Sequence, residues 1–211
     1  MSIEELKKAI IEFEENAPEI TDKLISQGKT PEEILAAVGD VLNICGVKYE
    51  KHEFYLAELM LVGDVAKNVI GKLLPIIKKK GVKMKGVILF GTVQGDIHDI
   101  GKTIISSFLV GAGFEVHDLG IEVPASKFIA AAKKYNPDII AMSTLLSTTA
   151  LHVPKIIAAL RKAGVKAKIL VGGRPIDEKF AKNAGADGHG KNPTDAIKIC
   201  NTWMEEIVER G

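Results

Sequence analysis

The residues best placed to do chemistry form one short run, Gly91-Thr-Val-Gln-Gly95-Asp96-Ile97-His98-Asp99-Ile100-Gly101-Lys102. Asp96 and His98 stand two apart, so on an extended loop their side chains point the same way. A carboxylate beside an imidazole accepts its Nδ1–H, which fixes the tautomer and leaves Nε2 free as a metal ligand or a base. Gly101 lets the backbone come close to a bulky group. The run has neither the Gly-x-x-x-x-Gly-Lys-Ser/Thr nor the Gly-x-Gly-x-x-Gly spacing of a phosphate or dinucleotide loop. A zinc site would need a third and fourth ligand, and no Cys/His set accompanies the pair. By itself an Asp-x-His pair also fits a loop histidine with no function, so its place in the fold matters.

The flanking pattern supplies that place. Val87-Ile-Leu-Phe90, Glu115-Val-His117, Ile139-Ile-Ala-Met142 and Ile169-Leu-Val171 are short apolar runs suited to buried strands, with a weaker fifth near Asp187-Gly-His189. Helical stretches at 101–112, 124–135, 149–163, 176–184 and 193–209 alternate with them. The alternation implies an α/β fold, a flavodoxin-like (Rossmann-type) doubly wound parallel sheet of five strands. Ligands of such sheets bind beyond the carboxyl ends of the strands, at the switch point. The Asp96–His98 run leaves the first strand there, and loops 118–123, 143–148 and 172–175 should meet it.

The chain before Lys80 is different. It carries 11 basic and 14 acidic residues, net −3, and 5 of the 20 glycines; the other 131 residues carry 17 and 13, net +4, and 15 glycines. Ser2-Ile-Glu-Glu5 and Thr30-Pro-Glu-Glu33 are capping boxes, and Pro18 and Gly28 bracket a helix between them. A third helix should run to about Gly46 and a fourth from about His52 to Lys80, where Gly81 ends it. The apolar side of the fourth should hold Leu56, Leu59, Met60, Val65, Val69, Leu73 and Ile77. Four helices with short connections make a bundle. The expected domains are a helical-bundle cap over 1–82 and an α/β domain over 86–211, hinged at 81–86.

A net charge of +1, with 28 basic and 27 acidic residues and no basic run of five, argues against nucleic acid held by bulk charge. No apolar stretch is long enough to span a membrane, and no secretory signal opens the chain. Cys45 and Cys200 belong to no motif and suit a reduced cytoplasm, buried and inert.

Asp96-x-His98-x-x-Gly101 resembles the Asp-x-His-x-x-Gly signature of corrinoid (vitamin B12) binding domains. Ser143-Thr-Leu145 resembles the Ser-x-Leu element after the third strand, and Gly172-Gly173 the Gly-Gly pair after the fourth. Phe54-Tyr-Leu56-Ala-Glu-Leu-Met60 resembles the cap segment of the methyl-carrying branch, as in cobalamin-dependent methionine synthase and the corrinoid proteins of anaerobic methyltransfer systems. The resemblance covers about residues 1–209.

It implies a cobalamin or related corrinoid as cofactor, with His98 as the lower axial ligand of cobalt. Asp96 would hydrogen-bond the other ring nitrogen, and Thr149 would complete the relay by its hydroxyl. Thr149 fits equally an N-cap of the 149–163 helix. Gly95, Ile97, Asp99, Ile100 and Gly101 would line the cofactor from the signature loop. Ser143, Leu145, Ser147, Gly172 and Gly173 would line a slot for its nucleotide tail, although Gly172-Gly173 also suits an ordinary strand-to-helix turn. His189 is expected to be a loop histidine, and His52, His117 and His152 structural or solvent-facing. Phe54, Leu56, Leu59 and Met60 are candidates to shield the upper face, although an apolar stripe is mostly bundle core. The implied role is a methyl carrier between a substrate-specific methyltransferase and a second one with a thiol or pterin acceptor, kept active by a reductive activator. Stand-alone turnover is not expected. The alternatives are the small subunit of an adenosylcobalamin mutase or a B12-dependent sensor.

Overall fold

Local signals set the helix ends in the first eighty residues. Ser2 caps α1 (Ile3–Ile11): Glu5 N–H donates to Ser2 Oγ at 3.1 Å, and Ser2 N–H donates to the Glu5 carboxylate at 2.7 Å. Thr30 and Glu33 make the same reciprocal pair at the start of α3 (Pro31–Glu50). Between them α2 (Ala17–Ser26) has Pro18 in its first turn, and Gly28 at φ +89° turns the chain away.

α3 runs four residues past the expected Gly46. A glycine stops a helix by taking a left-handed φ, whereas Gly46 is buried in a helical turn; His52, at φ +60°, makes the left-handed turn instead. α4 (Leu56–Lys79) therefore starts four residues later than expected, with the Glu58 carboxylate accepting Tyr55 N–H at 2.7 Å. Its buried stripe is Leu59, Val62, Ala66, Val69, Leu73 and Ile77, which leaves Leu56 and Met60 exposed and Val65 half-buried.

The computed structural model describes residues 1–79 and 84–209. The expected helix end at Lys80-Gly81 and the first half of the 81–86 hinge, residues 81–83, lie outside the described residues. The chain divides into two compact units, Met1–Met84 with Ser107–Gly113, and Lys85–Ser106 with Phe114–Gly211. In the first, α3 packs on α4, α1 on α2 and α3, and α2 on α4. Leu6, Ile10, Leu24, Ile34, Leu42 and Leu59 fill its core.

The rest alternates strand and helix: β1 (Val87–Thr92), α5 (Ile100–Gly111), β2 (Glu115–Asp118), α6 (Ala125–Tyr135), β3 (Ile139–Ser143), α7 (Ser147–Ala150), α8 (Val153–Lys162), β4 (Lys168–Gly172), α9 (Glu178–Ala184), β5 (Gly188–Gly190) and α10 (Pro193–Glu209). All strand pairs are parallel, in the order β2-β1-β3-β4-β5. That is the five-stranded flavodoxin-like sheet the alternation predicts, with its switch point between β1 and β3. Phe128, Ile140, Val153, Leu160 and Val171 pack between one face of the sheet and α6 and α8.

The single helix expected over 149–163 is two, because Pro154 supplies no N–H and restarts the helix at α8. Among the described residues no helix is long and apolar enough to cross a membrane. Cys45 and Cys200 are free and fully buried, and burial pushes their thiols up to about 11 and about 12.

Candidate functional site

β1 and β3 lie side by side and end together, with Thr92 opposite Ser143. The loops that follow them leave in the same direction, and Val93 N–H donates to the Ser143 carbonyl at 3.0 Å. The first loop turns tightly. Asp96 N–H donates to the Val93 carbonyl at 3.1 Å, and Gly95 takes φ +82°, where a side chain would be strained. Glu122 N–H donates to the Asp96 carbonyl at 3.0 Å and Thr92 Oγ1 to the His98 carbonyl at 3.2 Å, so a backbone donor and a side-chain hydroxyl hold the turn. Lys102, itself buried, pairs with Asp118 at the end of β2 and ties α5 to that strand.

The Asp96 side chain is fully buried, and its two oxygens divide the work. Oδ1 accepts the His98 backbone N–H at 3.0 Å and faces His98 Nδ1 at 2.7 Å. Oδ2 faces Leu145 N–H at 2.7 Å, Thr149 Oγ1 at 2.8 Å and Thr144 Oγ1 at 3.0 Å. Burial alone would push this carboxyl up. The bonds from Leu145 N–H, His98 N–H, the His98 ring and Thr149 outweigh it and hold the group well below the usual carboxylate range. An ionised carboxylate only accepts, so Nδ1 carries a ring proton, and in the neutral ring Nε2 presents a lone pair. The His98 side chain is 44% exposed, so that lone pair belongs to a ring solvent can reach.

The site thus offers one committed imidazole. Among the described residues no three His, Cys, Asp or Glu side chains converge as a metal cluster. One donor suits a metal that brings its other ligands with it, as a corrinoid does. Two further observations fit such a group. A Cβ on Gly101 would meet nothing within 4 Å, so no protein atom requires glycine there, whereas a large ligand lying on the backbone would. On the same strand-end loops Ile97, Ile100, Ile121, Leu145, Leu146 and Leu151 are 41–63% exposed, an apolar surface that single solvated loops do not need.

The other expected residues divide. Leu145 reaches Asp96 through its backbone N–H, with its side chain exposed. Thr149 lies inside α7 with its hydroxyl on Asp96, so it does not cap the longer helix. Asp99 is exposed, and its carbonyl accepts Thr103 N–H at 2.8 Å to start α5. Ser143 is half-buried and Ser147 exposed; neither reaches Asp96. Phe54, Leu56 and Met60 belong to the first unit, where Phe54 rests at 6.5 Å from Phe13 and Leu59 is core. His117 stacks on Tyr135 at 3.9 Å and His52 is exposed. His189 sits in β5 rather than a loop, with its Nδ1 buried and unpartnered among the described residues. A surface groove of roughly 550 Å³ between α9, β5 and α10, floored by Trp203, contains none of the Asp96 network.

Gly172 and Gly173 have a packing role. A Cβ on Gly173, at φ +122°, would lie 1.8 Å from the Thr144 carbonyl oxygen, and one on Gly172 would lie 2.8 Å from the Gly190 oxygen. Gly173→Ala is expected to cost about 3 kcal/mol or more, since backbone must move and the left-handed φ is strained. That lowers the melting temperature of the cofactor-free protein by roughly 6–12 °C in calorimetry; an unchanged value would mean the two loops do not bear on each other.

Thr144 is the residue the sequence did not single out. It occupies the middle of Ser143-Thr-Leu145, 1% exposed, with its hydroxyl on Asp96. Five hydroxyl residues lie between 143 and 149, and only the side each presents to Asp96 separates them.

Comparison with known proteins agrees with this geometry. B12 binding domain families match residues 86–198 and residues 2–74. The chain is 36% identical over 200 residues to a dimethylamine corrinoid protein of Methanosarcina barkeri, covering 92% of this chain and 93% of that one. It is similar in structure to a cobalamin-binding protein from Desulfitobacterium hafniense, with TM-score 0.76, 28% identity, and 96% and 98% of the two chains covered. It is also similar to a chain of the methanol:cobalamin methyltransferase complex of Methanosarcina barkeri, with TM-score 0.79, 28% identity, and 95% and 78% covered.

Proposed function

This chain belongs to the family of B12-binding corrinoid proteins, and from that premise we propose that it carries a methyl group between two methyltransferases. Its cofactor is cobalamin or a related corrinoid. A substrate-specific methyltransferase loads the methyl group, and a second one removes it to a thiol or a pterin. The likeness to a dimethylamine corrinoid protein favours a methylated amine as the source. A reductive activator restores protein that has lost its working oxidation state. The two free, buried thiols suit a cytoplasmic setting.

The observation that carries this reading is the fully buried Asp96 holding the exposed His98 by Nδ1. The bound corrinoid supplies the cobalt on which the methyl group travels. His98 Nε2 is the atom that would hold that metal, and Asp96 keeps the ring proton on Nδ1 so that Nε2 stays available. Gly95, Gly101, Ile97, Ile100, Ser143, Leu145, Ser147, Gly172 and Gly173 are assigned to the cofactor's surroundings, where exposed aliphatic side chains would exclude water. Phe54, Leu56 and Met60 of the first unit are assigned to screening the carried group.

The test is a methyl-transfer assay with the corrinoid-loaded protein and a panel of methyltransferases. The expected result is transfer, seen in the visible spectrum, only when a matching methyltransferase is present. Transfer from the free methyl donor to the loaded protein alone would make this chain an enzyme in its own right and overturn the carrier reading.

A further inference from the structure

The hydrogen bonds around Asp96 Oδ2 contain more contacts than protons. Thr144 Oγ1 and Thr149 Oγ1 are 2.7 Å apart, a separation that requires a proton between them. Both also face Oδ2, at 3.0 and 2.8 Å, and both face the Leu146 carbonyl, at 3.4 and 3.0 Å. Two hydroxyls own two protons. One lies between the two oxygens, and one is left for either Oδ2 or the Leu146 carbonyl. An ionised carboxylate is the stronger acceptor, so that proton points to Asp96.

Two chains satisfy this count equally: Thr144 to Thr149 to Asp96, and Thr149 to Thr144 to Asp96. Both threonines are buried, at 1% and 7% exposure, so bulk water cannot replace either hydroxyl. Thr144 is also held from behind, by Gly173 against its carbonyl and by its N–H donating to the Gly172 carbonyl at 3.2 Å.

We propose that the group which completes the relay behind His98 and Asp96 is a hydroxyl pair, with Thr144 and Thr149 as interchangeable positioning residues. Either alone supplies the donor that Oδ2 receives. Losing both leaves Oδ2 with the Leu145 N–H only. Asp96 then pulls harder on the Nδ1 proton, and Nε2 becomes a stronger donor. The inference rests on His98 being the cobalt ligand only for its second readout.

The first readout is the cofactor-free protein: the ring-nitrogen chemical shifts of His98 in wild type, Thr144→Val, Thr149→Val and the double variant. Valine keeps the branched shape and removes the hydroxyl. The expected result is near-wild-type shifts in both single variants and a clear displacement in the double. The second readout is the ratio of imidazole-bound to imidazole-free cobalt(II) in loaded protein, by electron spin resonance. Each single variant should change it by less than about threefold, and the double should raise it by about tenfold, the effect of one charge-assisted hydrogen bond. Thr144→Ser in the Thr149→Val background should behave as Thr149→Val does.

The proposal is overturned if Thr149→Val alone produces the whole change, or if the double variant equals wild type. Should the double valine variant not fold, the Thr144→Ala, Thr149→Ala double variant takes its place with the same two outcomes. If the protein takes up no corrinoid, the proposed function falls while the ring-nitrogen shifts still decide the pair.

Discussion

Replacing His98 by alanine is expected to remove the imidazole-nitrogen splitting from the electron spin resonance spectrum of the cobalt(II) form. The argument is one of supply. Among the described residues no three His, Cys, Asp or Glu side chains converge to hold a metal, and both oxygens of Asp96 are occupied. Water or the cofactor's own base would take the vacated position. Corrinoid affinity should fall at least roughly tenfold, because changes one bond further from a metal already cost about 10–100-fold. Stability should fall by only about 1 kcal/mol, since the ring is 44% exposed and Asp96 keeps its backbone donors. With the protein labelled in nitrogen-15 and the cofactor unlabelled, a spectrum still split by the protein's nitrogen would place the ligand elsewhere.

Asp96→Asn is expected to damage both the fold and the ligand, by a route the geometry dictates. Two fixed backbone donors compete for the one amide oxygen, and the Leu145 N–H lies closer, at 2.7 Å against 3.0 Å for the His98 N–H, so the amide oxygen is expected to take the Oδ2 position. The amide NH2 then faces the His98 backbone N–H and Nδ1, where the carboxylate accepted both. The backbone N–H loses its acceptor, at a cost of about 1–3 kcal/mol. Nδ1 must now accept, which moves the ring proton to Nε2 and closes it to metal. Loaded protein should lose the nitrogen splitting as completely as the alanine variant, and the ring-nitrogen shifts of His98 should report the other tautomer.

The acid side gives an independent check. The Asp96 carboxyl sits below its ordinary value in the folded chain, so its contribution is present above the unfolded value near 4 and is lost as pH falls towards the folded one. Asparagine does not ionise and makes no such contribution. The stability advantage of wild type over Asp96→Asn, measured by urea unfolding, should therefore be full at neutral pH and shrink as pH drops from about 5 to about 2. A difference independent of pH would mean that Asp96 is not ionised.

Much of this was legible in the residue order, for physical reasons. Buried parallel strands must be short apolar runs, so β1 to β4 announced themselves and the switch point followed. Capping boxes state the helix starts at Ser2 and Thr30 because their chemistry is local. What failed was also physical. Gly46 and His52 misplaced a boundary because a helix stop depends on φ, and burial kept Gly46 helical while a histidine took the left-handed turn. Thr144 stayed hidden because its role depends on strand pairing rather than on neighbours in the chain. The Asp96–His98 pair was readable because the two lie two residues apart; the donors to Oδ2 were not.

That separation bears on when the site comes into being. The His98 contacts span two residues, but Thr144, Leu145 and Thr149 lie 48, 49 and 53 residues beyond Asp96. Such contacts form only after β2 and α6 have been laid down and β3 has docked on β1, the slow, non-local step of a parallel sheet. Chains are made from the amino end. A ribosome that has just finished α6 therefore holds a chain with Asp96 and His98 but nothing to anchor Oδ2. Competence for the cofactor arrives late in synthesis and all at once, and a chain that stalls before β3 has no ordered imidazole to offer.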